Sequence, residues 1–297
     1  MNFTRRKFLK STAAVSALAL ARPVLSLAQN ASARHELCAF EKPFQFLSYE
    51  ETAELFAELG FNGIEATVRP GGHVLPEKVE DDLPLFVGAL KKHELQMTVL
   101  TSGINGIDSP HAEKVLRTAA KLGVKRYRMN WYRYDLQKPI LPQLEQLRPK
   151  LKELASLNRE LGMTALYQNH AGPAFIGAPL WDIYSIIKDF DSKEIALAYD
   201  IRHATVEGGL SWPIQFNLVK SHIGAVFIKD CVWEKGKLEK VPLGEGMVDK
   251  KFFTMLKEFK FSGPISIHVE YLDRSKDKKV LADAFRKDLA TLKSLLV

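Results

Sequence analysis

The 297-residue chain is 46% hydrophobic and 26% charged, the composition of an ordinary globular domain, which excludes a disordered or fibrous polymer. Its formal charge of +7 is unevenly spread: Arg5, Arg6, Lys7, Lys10 and Arg22 precede Ala28 with no acid among them, and without these five cations the charge is +2. A body so nearly balanced gives no electrostatic reason to expect a polyanion, so nucleic acid is not an expected partner.

The first 33 residues read as an export leader. The twin arginines Arg5-Arg6 stand before an apolar stretch from Ala13 to Leu20, and small-x-small sites end at Ala28 and Ala33. The apolar part is shorter than the ~20 residues of a membrane span, so no stable membrane insertion is expected. The mature protein is expected to begin at about Gln29 or Arg34 and to reside in the periplasm or outside the cell. Cys38 and Cys231 fall in separate predicted strands and are read as free, buried thiols, although an oxidising compartment would permit a bridge.

From Leu37 onward, short β-rich apolar runs alternate with segments of helical period. The predicted strands cover 37–40, 63–68, 97–101, 126–130, 164–168, 195–200, 225–230 and 264–269. The helices cover 49–59, 83–92, 111–122, 141–161, 180–190, 213–220, 250–259 and 279–296. Gly60, Gly123 and Gly162 stand where a left-handed cap ends a helix before the next strand. Eight βα units without a linker match a closed barrel of about 250 residues. The first βα connection lacks the glycine-rich phosphate turn of a dinucleotide fold. The fold class read from the sequence is α/β, a single (βα)8 TIM barrel over residues 34–297.

Active sites of such barrels form at the C-terminal ends of the strands, where this chain is polar. Glu65 lies on the second strand, Arg128 and Asn130 at the end of the fourth with Trp131 beyond, and Gln168, Asn169 and His170 close the fifth. Asp200 ends the sixth with His203 beyond it, Lys229 and Asp230 end the seventh, and His268 and Glu270 the eighth. Residues two apart on a strand share a face, so His268 goes with Glu270, Gln168 with His170, Arg128 with Asn130, and Lys229 with Phe227. Singly, each reads as a loop cap or surface salt bridge; together they read as one inward-facing ring.

Glu65, Gln168-Asn169-His170, Asp200-x-x-His203, Lys229-Asp230 and the Gly244-Glu245-Gly246 turn with Val248 and Asp249 make the chain resemble the xylose isomerase-like TIM barrels, the sugar phosphate isomerase/epimerase family. The Gly263-to-Ile267 approach to the last strand resembles it too, and the likeness covers the whole mature chain. It implies a divalent metal held by Glu, Asp, His and Glu at the ends of strands five to eight. This sequence departs from that set: Gln168 replaces the first Glu, Asp200 matches, Phe227 replaces the His, and His268 stands at the last Glu. Exchanging carboxylates for neutral groups weakens a site for Mg²⁺ or Mn²⁺. A rebuilt site of Asp200, His268, His170 and Glu270 would suit Zn²⁺; a metal-free enzyme and a barrel without catalysis stay open.

What the resemblance implies for function is proton removal beside the carbonyl of a small sugar or keto-sugar. His268, Glu270 and His170 are the candidate acid–base groups, with Lys229 and Arg128 facing the developing oxyanion. Glu65, Arg128, Asn130, Gln168 and Trp131 are candidate substrate contacts. A keto-sugar lyase or hydrolase and a non-catalytic sugar-binding barrel are the alternatives. A nuclease, which resembles another branch of the family, would need many more His and acidic ligands. The sequence does not fix an oligomeric state.

Overall fold

A computed structural model describes residues 35–297. The leader read at positions 1–33 lies outside the described residues. Eight strands close into one parallel barrel: β1 (Leu37–Phe40), β2 (Gly63–Val68), β3 (Gln96–Ser102), β4 (Arg126–Arg128), β5 (Thr164–Gln168), β6 (Ile195–Asp200), β7 (Ile223–Ile228) and, after an antiparallel hairpin of β8 (Asp230–Glu234) and β9 (Lys237–Val241), β10 (Ile265–Ile267). Each barrel strand pairs with the next in sequence, and β1 pairs with β10 to close the ring. The helices are α1 (Tyr49–Leu59), α2 (Val79–Lys92), α3 (Ala112–Lys121), α4 (Ile140–Glu145), α5 (Leu147–Leu161), α6 (Trp181–Ile187), α7 (Ile201–Gly208), α8 (Trp212–Val219), α9 (Lys251–Glu258) and α10 (Lys278–Leu295). Among the described residues no helix is long and apolar enough to cross a membrane.

Local chemistry sets the boundaries. Ser48 and Glu51 form a reciprocal capping box at the start of α1, and Gly60 ends that helix at φ +83°, a left-handed conformation costly for residues with a Cβ. In the sheet, alternation divides two cores. Ile64, Ala66, Tyr127, Tyr167, Tyr199, Val226 and Ile267 face the helices in the large core. A second, small core of Val99, Leu166, Ala196, Ala198, Ala225 and Phe227 plugs the barrel. The residues that follow in the same inward rows are Thr101, Gln168, Asp200, Lys229 and His268, so strand parity carries the chain from a dry plug to a polar mouth.

Two elements are absent from the sequence reading. α7 starts directly at the end of β6, because the Asp200 side chain accepts from His203 N (3.1 Å) and caps the new helix. The hairpin turns on Lys235 and Gly236, both at positive φ as a two-residue primed turn requires. Cys38 and Cys231 are buried and unbonded, and burial pushes the Cys38 thiol pKa well above its usual value.

Candidate active site

The mouth is a continuous chain of charged and polar side chains from β2 round to β10. Glu65, fully buried, accepts from Thr101 Oγ1 (2.6 Å), Ser266 Oγ (2.7 Å) and His268 Nε2 (2.7 Å), with Arg128 at 3.3 Å. Burial alone would raise this carboxyl, but His268 and Arg128 overcome it and hold it at about 2. Arg128 donates to Gln168 Oε1 (3.0 Å), and Gln168 Nε2 donates to Asp200 Oδ2 (2.7 Å). Lys229 Nζ then bridges Asp200 Oδ2 (2.9 Å) and Glu270 Oε1 (3.0 Å). Arg202 reaches the other Glu270 oxygen at 3.3 Å. Burial opposes ionisation of Asp200 and Glu270 as well, yet His203, Lys229 and Arg202 keep the first below its ordinary range, and Lys229, His268 and Arg202 keep the second well below it.

His268 lies between the rings of Phe40 (4.8 Å) and Phe227 (4.6 Å), its side chain fully enclosed. Its Nε2–H is committed to Glu65; its Nδ1 has no hydrogen-bond partner and faces Glu270 Oε1 at 3.7 Å. His170 sits higher, stacked on His203 (4.3 Å) and packed on Phe175 (4.5 Å) and Trp131 (5.7 Å). Its Nδ1 lies 3.2 Å from the Ala171 carbonyl, which accepts only a proton donor, so in the neutral ring Nε2 carries the lone pair. Burial, then the Lys229 charge, lowers the His170 pKa and favours that neutral form. A narrow cleft opens here, lined by Arg69, Ser102, Arg128, Met129, Asn130, Trp131, Gln168 and His170.

All the residues chosen from the sequence therefore lie at the mouth. Glu65, Arg128, Gln168, Asp200, Lys229, His268 and Glu270 form one contact network, while His170, Asn130 and Trp131 line the rim. Of the aromatic residues near strand ends, Trp131 alone borders this cleft; Tyr132, Tyr167 and Trp212 are buried. Arg202 was missed because it is on α7, which periodicity did not reveal; Arg69 is legible in the sequence as a polar residue directly after β2 but was not among the candidate site residues.

Two motif elements are structural. Asp230 accepts from the backbone N–H groups of Cys231 (2.8 Å), Gly244 (3.0 Å), Gly246 (3.0 Å) and Val248 (3.0 Å), and so ties down the glycine turn. At Gly246 a Cβ would stand 2.2 Å from the Asp230 carboxylate, which explains the glycine. Asn169 clamps the Asp200 backbone with two bonds of 2.7 and 3.0 Å.

The donors do not fit a divalent metal. Gln168 turns its amide nitrogen, which has no lone pair to give, toward Asp200, and the Lys229 ammonium stands between Asp200 and Glu270. His170 stacks on His203, and Asp200, His268, His170 and Glu270 do not converge as a ligand set; among the described residues no group of three or more His, Cys, Asp or Glu is arranged to hold an ion.

The fold is a closed parallel (βα)8 barrel with a polar mouth, and sequence comparison gives its family: the profile of the Xylose isomerase-like TIM barrel family matches residues 53–295. The chain belongs to that family. No curated protein sequence matches it significantly. Among solved structures it is similar to the 3-keto-D-glucoside 4-epimerase YcjR from E. coli, at TM-score 0.68 and 18% identity over 88% of this chain and 100% of that one. It is similar to D-psicose 3-epimerase from Clostridium cellulolyticum H10, at TM-score 0.67 and 13% identity over 88% and 99%. The IolI protein with a bound zinc atom gives TM-score 0.68 and 19% identity over 88% and 98%. Identities this low establish the shared fold.

Proposed function

We propose that the protein is an enzyme of the sugar isomerase and epimerase class that removes a proton beside the carbonyl of a small sugar or keto-sugar. The observation that carries this reading is His170: a neutral imidazole whose Nδ1–H is committed to Ala171, leaving Nε2 as a free base on the cleft wall, beside cationic Arg128. Glu270 is a weaker base, since Lys229 and Arg202 both stabilise its anion; His268 is enclosed below it, with its Nε2 bound to Glu65 and its Nδ1 3.7 Å from Glu270 Oε1. Arg128 and Lys229 supply the positive charge that an enediolate requires. Trp131, 41% exposed, offers a face for a sugar ring.

The structural neighbours that act on a 3-keto-glucoside and on psicose support the substrate class. Loss of a β-substituent begins with the same proton removal, so a keto-sugar lyase shares this first step. The twin-arginine leader makes the periplasm or the cell exterior the proposed location. Normal export of a chain in which both Arg5 and Arg6 are replaced by lysine would remove that proposal.

The test is exchange of substrate α-protons with deuterated water, followed by NMR over a panel of ketoses and 3-keto-glycosides. His170→Ala is expected to slow exchange by about 10² to 10⁴, the usual worth of a positioned base, with unfolding unchanged. Sugars that bind without exchange or turnover would leave a sugar-binding barrel in place of an enzyme.

A further inference from the structure

The inward rows of β5, β6, β7 and β10 end in Gln168, Asp200, Phe227 and His268, where the family resemblance implies four metal ligands. Phe227 is a hydrocarbon ring packed on His268, and two residues further, on the same inward face, Lys229 brings a cation to the mouth. Its side chain is 4% exposed and its Nζ is shared by Asp200 Oδ2 and Glu270 Oε1 at 2.9 and 3.0 Å. A divalent ion cannot occupy the space between these carboxylates while the ammonium is there. Displacing Lys229 would leave a buried cation without its anions, which is costly.

The remaining donors show what the lysine covers. The amide of Gln168 is fixed by Arg128 on its oxygen and Asp200 on its nitrogen. His268, by contrast, keeps an enclosed Nδ1 with no hydrogen-bond partner, 3.7 Å from the very Glu270 oxygen that Lys229 holds. That nitrogen and the Asp200 and Glu270 carboxylates are donors of the kind zinc takes; the ammonium lies between the two carboxylates, and while it does the three form no group arranged to hold an ion.

We infer that Lys229 is a built-in replacement for the divalent cation of related barrels, and that removing its charge lets Asp200, Glu270 and His268, which do not converge while it is present, close on a divalent ion. An ammonium has three N–H donors. Asp200 and Glu270 take two, and the third is the one that serves a substrate oxygen. This deepens the functional reading above, but its test needs no substrate, so either can fail alone.

Isothermal titration of the purified, chelator-treated protein with ZnCl₂, alongside Lys229→Met, Lys229→Arg and Lys229→Met/Asp200→Asn, tests the inference, with circular dichroism to verify folding. The parent and Lys229→Arg are expected to show no one-to-one zinc site. Lys229→Met is expected to take up one zinc at least about 100-fold more tightly, the upper scale on which one supporting group alters metal affinity. The added Asp200→Asn should abolish that gain. If the parent itself takes up one tight equivalent that Asp200→Asn removes, the lysine is not a replacement and the inference is overturned. A folded Lys229→Met without zinc uptake overturns the latent site. Should Lys229→Met not fold in buffer, folding on addition of one equivalent of zinc supports the site, and failure to fold with zinc, while Lys229→Arg folds, counts against it.

Discussion

Glu65 and Asp288 are both buried carboxyls, 0% and 2% exposed, one inside the barrel and the other on the outer helix α10. Burial raises the pKa of each, yet the outcomes are opposite. Glu65 has His268 at 2.7 Å and Arg128 at 3.3 Å, and ends at about 2. Asp288 receives only neutral donors, Leu243 N and Tyr271 Oη, each at 3.2 Å, and stays raised at about 6. What separates the two regions is therefore the supply of cations. The mouth places Arg128, Lys229 and Arg202 among Glu65, Asp200 and Glu270, so each carboxylate there has a cation beside it. At the outer seam Asp288 has no charged hydrogen-bond partner, and the nearby Lys287 and Glu245, paired with each other, act on it in opposite directions.

The strongest way to break this comparison is to remove a cation from the mouth. Lys229→Met keeps the length of the side chain but leaves Asp200 and Glu270 without the ammonium they share. Its expected cost is about 3 to 5 kcal/mol in urea unfolding without added metal, the range for one partner lost from a buried pair. A loss below about 1 kcal/mol would mean that Arg202 and water compensate, and that the mouth is less tightly coupled than its distances indicate.

A smaller effect is expected in acid. Because the folded pKa of Glu65 is depressed, its contribution is complete above the unfolded value of 4.5 and is lost as pH falls from there toward about 2. The shift corresponds to about 3 kcal/mol. Unfolding free energy measured from pH 6 to pH 2 should fall less steeply for Glu65→Gln than for the parent. Parallel curves would show that Glu65 is not held as its contacts require.

The barrel itself was legible because its signals are local and repeated. Strand after strand is a short β-rich apolar run, buried on both faces, and glycine ends the helices at Gly60 and Gly162. The ring of mouth residues followed from the polar residues at the strand ends, sharpened by parity. α7 was hidden because its cap, Asp200, is also the last residue of a strand, leaving no loop to mark the change. The hairpin was hidden because Lys235-Gly236 lacks the asparagine or aspartate that advertises a primed turn. Roles were harder to read than places. The sequence puts Lys229 beside Asp230, but only three dimensions show one bridging carboxylates in the site and the other holding four backbone N–H groups of a loop. Likewise the choice between His170 and His268 as the exposed base depends on ring packing, which no spacing encodes.

The smallest expected effect comes from the other side of the comparison. The folded pKa of Asp288 is raised from 3.8 to about 6, so the folded protein binds this proton more tightly than the unfolded chain does. Its contribution is therefore most favourable below pH 4, declines as pH rises toward 6, and at higher pH leaves a constant penalty of at most about 3 kcal/mol. Asn resembles the protonated acid in shape, and its Oδ1 can accept the same two bonds from Leu243 N and Tyr271 Oη. Asp288→Asn should thus match the parent at pH 3.5 and exceed it by about 1 to 2 kcal/mol at pH 8, since the rest of the penalty returns in refitting the amide. Comparing the two proteins at each pH cancels the titration of the mouth, which both share. Equal stability at pH 8 would mean that Asp288 ionises without cost, through a cation or water reaching it from the surface, and the contrast between a cation-rich mouth and a cation-poor seam would then rest on Glu65 alone.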